Sequence, residues 1–187
     1  PFRMPVQGVY KFTAKNDDRR IIAGTVETGR LHVGDEVVFY PSGKRSRVRS
    51  LDAFNRHPQS QALAGQAVGF TLEEQIYVTR GELAVRVGQS APHLSTRVRV
   101  NLFWLGRTAL APRKDYVLKL GTARVPARLE TVHRVIDAAE LVSSDAKECV
   151  ERHEVAECTL ALGRPLAFDT ATDFEATGRF VIVDDFK

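Results

Sequence analysis

The sequence predicts an all-β chain folded as two consecutive small closed β-barrels, residues 1–89 and 94–187, joined by a linker at about residues 89–93. Three observations predict it. Short β-branched and aromatic segments recur along the chain, turn signals rich in Gly, Pro, Asn and Asp separate them, and no segment carries a convincing helical stripe. Closure follows because a half-open sheet of short strands leaves unpaired N–H and C=O groups along its edges, which a barrel removes.

In the first half, strands are expected around Val6 to Phe12, Arg20 to Thr28, Glu36 to Tyr40, Arg47 to Phe54, Gln66 to Leu72 and Leu83 to Val87. Asn16-Asp17-Asp18, Pro41-Ser42-Gly43 and Thr79-Arg80-Gly81 supply turns between them. The stretch Ala23 to Pro41 is the clearest part: Thr25 and Val26 precede the turn Thr28-Gly29-Arg30, and Val33-Gly34-Asp35 forms a second turn feeding Glu36 to Tyr40. Gln89-Ser90-Ala91-Pro92-His93 has neither strand nor helix period and reads as the linker.

The second half opens on a clean alternation. Val98, Val100, Leu102 and Trp104 share one face of an extended segment, and Arg97, Arg99 and Asn101 share the other. Further strands are expected at Tyr116 to Leu120, Ala123 to Ile136, Val155 to Leu162 and Arg179 to Val183, with Asp137 to Glu148 as a loop or one short turn.

Composition excludes several classes. With 187 residues, 43% hydrophobic and 27% charged, the chain is ordinary for a globular protein, and no apolar run approaches the roughly 18 residues of a membrane span. The net charge of +4 comes from interspersed acids and bases, not from a basic tail, so neither a nucleic-acid nor a membrane partner is indicated. Cys149 and Cys158 form no disulfide framework and lack C-x-x-C spacing, so a cytoplasmic, reducing location is expected. A start at Pro1-Phe2-Arg3 reads as a fragment of a longer protein.

Candidate chemistry is sparse. Gly24-x4-Gly29-Arg30-Leu31 is a near miss to a phosphate-cradling loop, lacking its Lys, its hydroxyl and its following helix, and a hairpin is expected there. Cys149, His153 and Cys158 offer three metal-type donors where a structural zinc site needs four, and Cys158 shares a face with Leu160 and Leu162, so it reads as a buried hydrophobe. Glu73-Glu74, Asp17-Asp18 and Asp184-Asp185 are adjacent pairs whose members point to opposite faces if extended, and solvated charge is expected for all three. His32, His57, His93 and His133 are scattered, with no nucleophile elbow, and no independent active site is found. The run Lys44-Arg45-x-Arg47-x-Arg49 places Arg45, Arg47 and Arg49 on one strand face. That face reads as solvated, as a contact with another domain or subunit, or as a nucleic-acid clamp, and no interleaved aromatic ladder accompanies it.

PVQGVYKF, AGTVETGRLHVGDEVVFYPSGKRSRVRSL, AGQAVGFTLEE and YVTRGEL, in that order, resemble the second domain of translation-type GTPases. The segment from VRVNLFWLGRTALAPRKDYVLKLGTARVPARLETVHRVIDAAEL through EVAECTLALGRPLAFD to ATGRFVIVDD is similar to the third domain of the GTPase subunit of bacterial sulfate adenylyltransferase. The resemblance implies a sulfate-activating nucleotidyltransferase that makes adenosine 5′-phosphosulfate and pyrophosphate from ATP and sulfate, coupled to GTP hydrolysis. It implies a preceding GTPase domain holding GTP and Mg, a smaller subunit performing adenylyl transfer, and in some members a following adenylylsulfate kinase domain. It also implies further barrel residues beyond Asp185-Phe186-Lys187. None of the family's catalytic or GTP-binding residues has a matching position here, so no catalytic, cofactor-binding or metal-binding residue is expected in this chain. The rival resemblance is to tRNA-binding barrels of elongation factors, which the stretch Val33 to Gly69 fits equally well.

Overall fold

A computed structural model describes residues 1–11, 18–52, 57, 59–137, 143–144 and 147–184. Two compact units are present: Pro1–Leu94 with Leu120–Ala123 and Leu166–Phe180, and Ser95–Lys119 with Arg124–Pro165 and Val181–Lys187. Sequence reading places one break at residues 89–93, whereas the units share the chain in pieces. Side chains of the segment from Leu166 to Phe180 complete the first unit, as shown below.

In the first unit, β1 (Arg3–Lys11), β2 (Arg20–Thr25), β3 (Arg30–His32), β4 (Glu36–Tyr40), β5 (Lys44–Asp52), β6 (Gln61–Leu63), β7 (Ala67–Leu72) and β8 (Leu83–Arg86) follow in order. Six of them close a barrel in the order β1-β2-β7-β5-β4-β8, and every neighbouring pair is antiparallel. β3 and β6 form a separate two-stranded ribbon. The hairpin expected around Gly24 to Leu31 is not formed, since β2 pairs with β1 and β7 and β3 pairs with β6, and three-residue strands are too short for any period to reveal this.

Alternate residues of β1 point inward, so Met4 and Val6, with Phe2 just before the strand, join Val37, Phe39, Val48 and Phe70 in the barrel core. The outer side of the same wall is buried too. Val38, Leu83 and Val85 pack with Ala167 into a second apolar cluster. Burial on both faces is why Val37-Val38-Phe39 is a continuous apolar run where a half-exposed strand would alternate.

Arg3 lies on that outer side and is fully buried. Its Nε donates to Asp169 Oδ2 at 2.8 Å and its Nη2 to Asp169 Oδ1 at 3.2 Å, a two-pronged pair. Its remaining donors reach the carbonyls of Phe2 at 3.1 Å and Ser90 at 2.7 Å, and Thr177 Oγ1 donates to Asp169 Oδ2 at 2.7 Å. The Phe174 ring lies 5.6 Å from the guanidinium carbon. Thr177 sits in the one-turn helix Glu175–Gly178, which the sequence reading misses because a single turn shows no helical period.

The second half of the chain carries β9 (His93–Phe103), β10 (Tyr116–Leu120), β11 (Ala123–Asp137), β12 (Ser143–Ser144), β13 (Glu154–Phe168) and β14 (Val181–Val183), and the one-turn helix α1 (Glu175–Gly178) between the last two belongs, with Leu166 to Phe168 of β13, to the first unit. The sheet path runs β14-β10-β11-β13-β9, with β12 beside β11. Closure is traced in the first unit; in the second, the path among the described residues has β14 and β9 as its ends. The expected alternation of β9 is present: Val98 and Leu102 are buried, Val100 is half-buried, and Arg97, Arg99 and Asn101 are exposed. Trp104 follows it inward, meeting Tyr116 edge-on at 5.9 Å between ring centroids and donating from Nε1 to Thr108 O at 2.9 Å. Gly106 is required beside it, since a Cβ there would lie 2.4 Å from the indole.

The reading of residues 137–148 as loop falls largely on residues outside those described; within it, Ser143 and Ser144 pair with Ile136 and Val135. The expected strand ends at Phe12 and Phe54 and the turn residues Asn16 and Asp17 also lie outside. Among the described residues no helix is long and apolar enough to cross a membrane.

The burial of Arg3 sets a test. Arg3→Leu leaves the Asp169 carboxylate buried without its cation and is expected to cost about 3–5 kcal/mol in urea unfolding. Arg3→Leu/Asp169→Leu is expected to cost clearly less than the sum of the two single variants. Additive losses would show that the two side chains do not act as a pair.

Candidate functional site

The outward face of β5 carries Arg45, Arg47 and Arg49, all exposed, as their period of two requires. Arg47 is held by an Nη1 hydrogen bond to Gly34 O at 2.7 Å. Arg49 is set apart by the ladder. Val48 lies opposite Leu72 and Ser50 opposite Thr71, so β5 spends two residues where β7 spends one, and Arg49 is the extra residue of a bulge. A bulge re-aims a side chain and reverses the inward parity of the strand, which passes from Ser46 and Val48 to Leu51. The sequence period places Arg49 outward without revealing this irregularity.

A second bulge lies on β1, where Val6 pairs with Gly24 and Gly8 with Ala23, leaving Gln7 over. Its carbonyl accepts from Arg80 Nη1 at 2.7 Å. Inward parity passes from Val6 to Val9, and on the flank of this bulge opens a recess of about 330 Å³ lined by Val9, Lys11, Arg20, Tyr77, Thr79 and Arg80. Val9 and Arg20 are shared with a narrow cleft of about 50 Å³ that continues to Arg19, Arg49, Thr71 and Gln75. Tyr77 is 65% exposed, and the Lys44 ammonium lies 5.1 Å from its ring centroid while donating to Tyr77 O at 3.0 Å. The two bulges thus bring cations from β1, β2, β5 and the loop after β7 to one concave wall. Sequence reading names Arg49 in this set and misses Lys11, Arg20 and Arg80, which are gathered only by strand pairing.

The remaining candidates are not brought together. Gly24 lies inside β2, where a Cβ would meet Pro5 O at 2.4 Å, and Gly29 is followed by β3. Both glycines serve close backbone packing, and with no helix after Gly29 these residues do not fit a nucleotide phosphate. The Cys158 thiol points into the core while the His153 ring stacks outside on Phe103, and among the described residues no group of three or more His, Cys, Asp or Glu side chains is placed to hold a metal. His93 stacks on Phe168, and His133 Nε2 meets Thr159 Oγ1 at 2.7 Å.

Two expectations need correction or completion. Asp184 is not solvated charge: its side chain is 11% exposed and its Oδ2 accepts from Lys114 Nζ at 2.6 Å. That hydrogen bond, and then the attraction of the two charges, outweigh desolvation and hold the ammonium above its ordinary pKa. Its partner lies seventy positions away, which a local reading cannot supply. Glu73 and Glu74 are exposed, as expected, whereas Asp17 and Asp185 lie outside the described residues.

Residues 19–75 match the family described as Elongation factor Tu domain 2, and residues 97–187 that described as GTP-eEF1A C-terminal domain-like. Sulfate adenylyltransferase subunit 1 of Chromobacterium violaceum is 37% identical over 183 residues, covering 98% of this chain and 37% of that protein. The chain matches the Elongation factor Tu domain 2 and GTP-eEF1A C-terminal domain-like families in turn, and over 98% of its length it is similar to sulfate adenylyltransferase subunit 1. The subunit of Aeromonas salmonicida is 35% identical, over 98% of this chain and 38% of its own length, and the bifunctional enzyme NodQ of a Rhizobium species is 34% identical, over 98% and 28%. The chain therefore spans less than two fifths of the length of these curated relatives. The solved structure of sup35 complexed with GDP superposes with a TM-score of 0.87 at 18% identity, over 100% of this chain and 45% of that one, and shares the fold.

Cys158 provides a measurable signature of this fold. Burial pushes its thiol up from the ordinary 9.0 to about 12. A thiol reagent at pH 8 is expected to modify the half-buried Cys149 and spare Cys158 until denaturant is added. Because the folded value is the raised one, the associated stability is complete below pH 9 and is lost as pH climbs towards about 12. The difference in stability between the native chain and Cys158→Ala should shrink over that window; a constant difference would show that the thiol ionises equally in both states.

Proposed function

We propose that this chain is a non-catalytic pair of barrels in the large, GTP-hydrolysing subunit of a sulfate adenylyltransferase, supporting GTP-coupled formation of adenosine 5′-phosphosulfate from ATP and sulfate. The observation that carries the reading is identity of 37% across 98% of the chain to a protein of that name, with both units included. GTP and Mg belong to a GTPase domain elsewhere in the subunit, adenylyl transfer belongs to a smaller partner subunit, and the assembly works in the cytoplasm. An adenylylsulfate kinase domain accompanies the barrels in a bifunctional version of the enzyme.

On this reading the Arg45, Arg47 and Arg49 face is a seam against the GTPase domain or the partner subunit. Guanidinium groups suit such a seam because their planar forks bind carboxylates in fixed geometry. Coupling requires that the GTP-bound and GDP-bound states of the GTPase domain touch the barrels differently, since only differential contact can bias the partner.

The test uses the complete subunit assembled with its partner. Arg45→Ser/Arg47→Ser/Arg49→Ser is expected to weaken partner affinity or GTP stimulation of adenosine 5′-phosphosulfate formation at least about tenfold, equivalent to about 1.4 kcal/mol. Unchanged affinity together with unchanged stimulation removes the seam. Formation of adenosine 5′-phosphosulfate by the isolated chain overturns the scaffold role, and salt-sensitive tRNA binding by that chain favours the elongation-factor reading.

A further inference from the structure

We propose that the cationic recess of the first barrel is a docking site for an extended, carboxylate-rich polypeptide segment of a partner protein. The inference goes beyond the enzyme assignment and does not depend on it. It starts from how the cations of the chain are neutralised. In the second unit Arg97 pairs with Glu130 at 2.9 Å, Arg99 with Glu157 at 2.6 Å, Lys114 with Asp184 at 2.6 Å and Lys147 with Glu154 at 2.7 Å. Along the recess and its cleft the balance is different. Lys11, Arg20, Arg49 and Arg80 are among the cations that line them, and Glu73 is the one carboxylate among the described lining residues. The side chains of Lys11, Arg20 and Arg49 form no ion pair with any described residue. A concave wall with several uncompensated cations focuses a positive field and selects an anionic occupant.

The geometry favours polypeptide over nucleic acid. Sequence-independent binding of single strands uses aromatic rings as stacking platforms along a basic groove. Among the described residues two exposed rings, Tyr10 and Tyr77, lie on these elements, and both have a face engaged. Lys44 covers Tyr77, and the Tyr10 ring folds back over Gly8, where a Cβ would meet its hydroxyl oxygen at 3.0 Å. Arginines two apart on β5 repeat at about 6.6 Å, the same interval as alternate side chains of an extended segment lying alongside. Arg49, turned by its bulge, continues that row into the cleft beside Arg20. Carboxylates at alternate positions of the guest would meet the row, and its intervening small or apolar side chains would face the partly buried Val9 and Ile76.

The experiment uses the intact chain and fluorescence anisotropy at 50 mM and 200 mM salt. The probes are fluorescein-labelled ten-residue peptides of alternating Glu and Ala, the same peptide with Gln for Glu, and a labelled ten-nucleotide uridylate RNA. Expected is binding of the Glu peptide alone, weakened tenfold or more by Arg20→Ser/Arg49→Ser and less than twofold by Arg107→Ser/Arg152→Ser, which removes equal charge from the second unit. Arg20→Lys/Arg49→Lys should keep most of the binding, and all variants should melt within a degree or two of the native chain. Equal weakening by the two Ser pairs would show attraction to net charge alone and overturn the site. Tighter binding of the RNA, lost with Arg20 and Arg49, would replace the polypeptide by nucleic acid. No binding of the Glu peptide at 50 mM salt would also overturn the proposal.

Discussion

The buried guanidinium of Arg3 is the constraint on which the first unit depends. A charge out of water is tolerated only when it is paired and its donors are satisfied. Arg3 meets that condition with groups from three places: Phe2 beside it, and two distant ones, Ser90 after the last barrel strand and Asp169 far along the chain, itself held by Thr177. The segment carrying Asp169 must therefore come to rest on the outer face of β1, β4 and β8. Once there it also buries Ala167 against Val38 and Val85. An apolar substitute could supply comparable burial, but it would not specify one position for the returning chain. The two-pronged Arg3–Asp169 contact, unlike non-directional apolar burial, has a defined geometry that the returning chain must meet.

Much of the fold was legible in the sequence. The strand at Glu36 to Tyr40 has the expected bounds, and Val98, Leu102 and Trp104 face inward because strict alternation encodes burial on one face. What was not legible depends on partners distant in sequence. Arg3 reads as an ordinary charged residue near a terminus, and only Asp169 explains its burial. Asp184 reads as solvated beside another acid until Lys114 is placed against it. The ribbon of β3 and β6 is too short to carry a period. Of the candidate recess, Arg49 was visible in the arginine run, whereas Lys11, Arg20 and Arg80 come from segments that share no motif.

Charge is handled differently on the outward faces of β9 and β5. On β9 the outward arginines face glutamates on β11 and β13, pairs that in water contribute little to stability but neutralise the local field. On the first barrel Arg45, Arg47 and Arg49 of β5 form no ion pair with any described residue, although Glu36 lies opposite Arg47. Self-compensation makes a surface indifferent to charged partners, and its absence makes one selective. A chain with a modest net charge of +4 can therefore present one strongly cationic wall, which composition averages away.

The bulges at Gln7 and Arg49 reconcile that wall with the core beneath it. A strand in a closed barrel is hydrogen-bonded on both sides, and its inward residues are committed to packing, so its outward residues are ordinarily fixed by parity alone. One extra residue relaxes this bond between faces: Val6 and Val9 both remain core-directed on β1, and Val48 and Leu51 do so on β5, although each pair is separated by an odd number of positions. The surplus residue is free to serve the outside. Gln7 turns a carbonyl towards Arg80, and Arg49 turns a guanidinium into the cleft. Shifting either bulge by one residue would keep a barrel with the same apolar content and would rearrange the recess. The placement of the bulges therefore belongs to the interaction surface more than to the stability of the barrel.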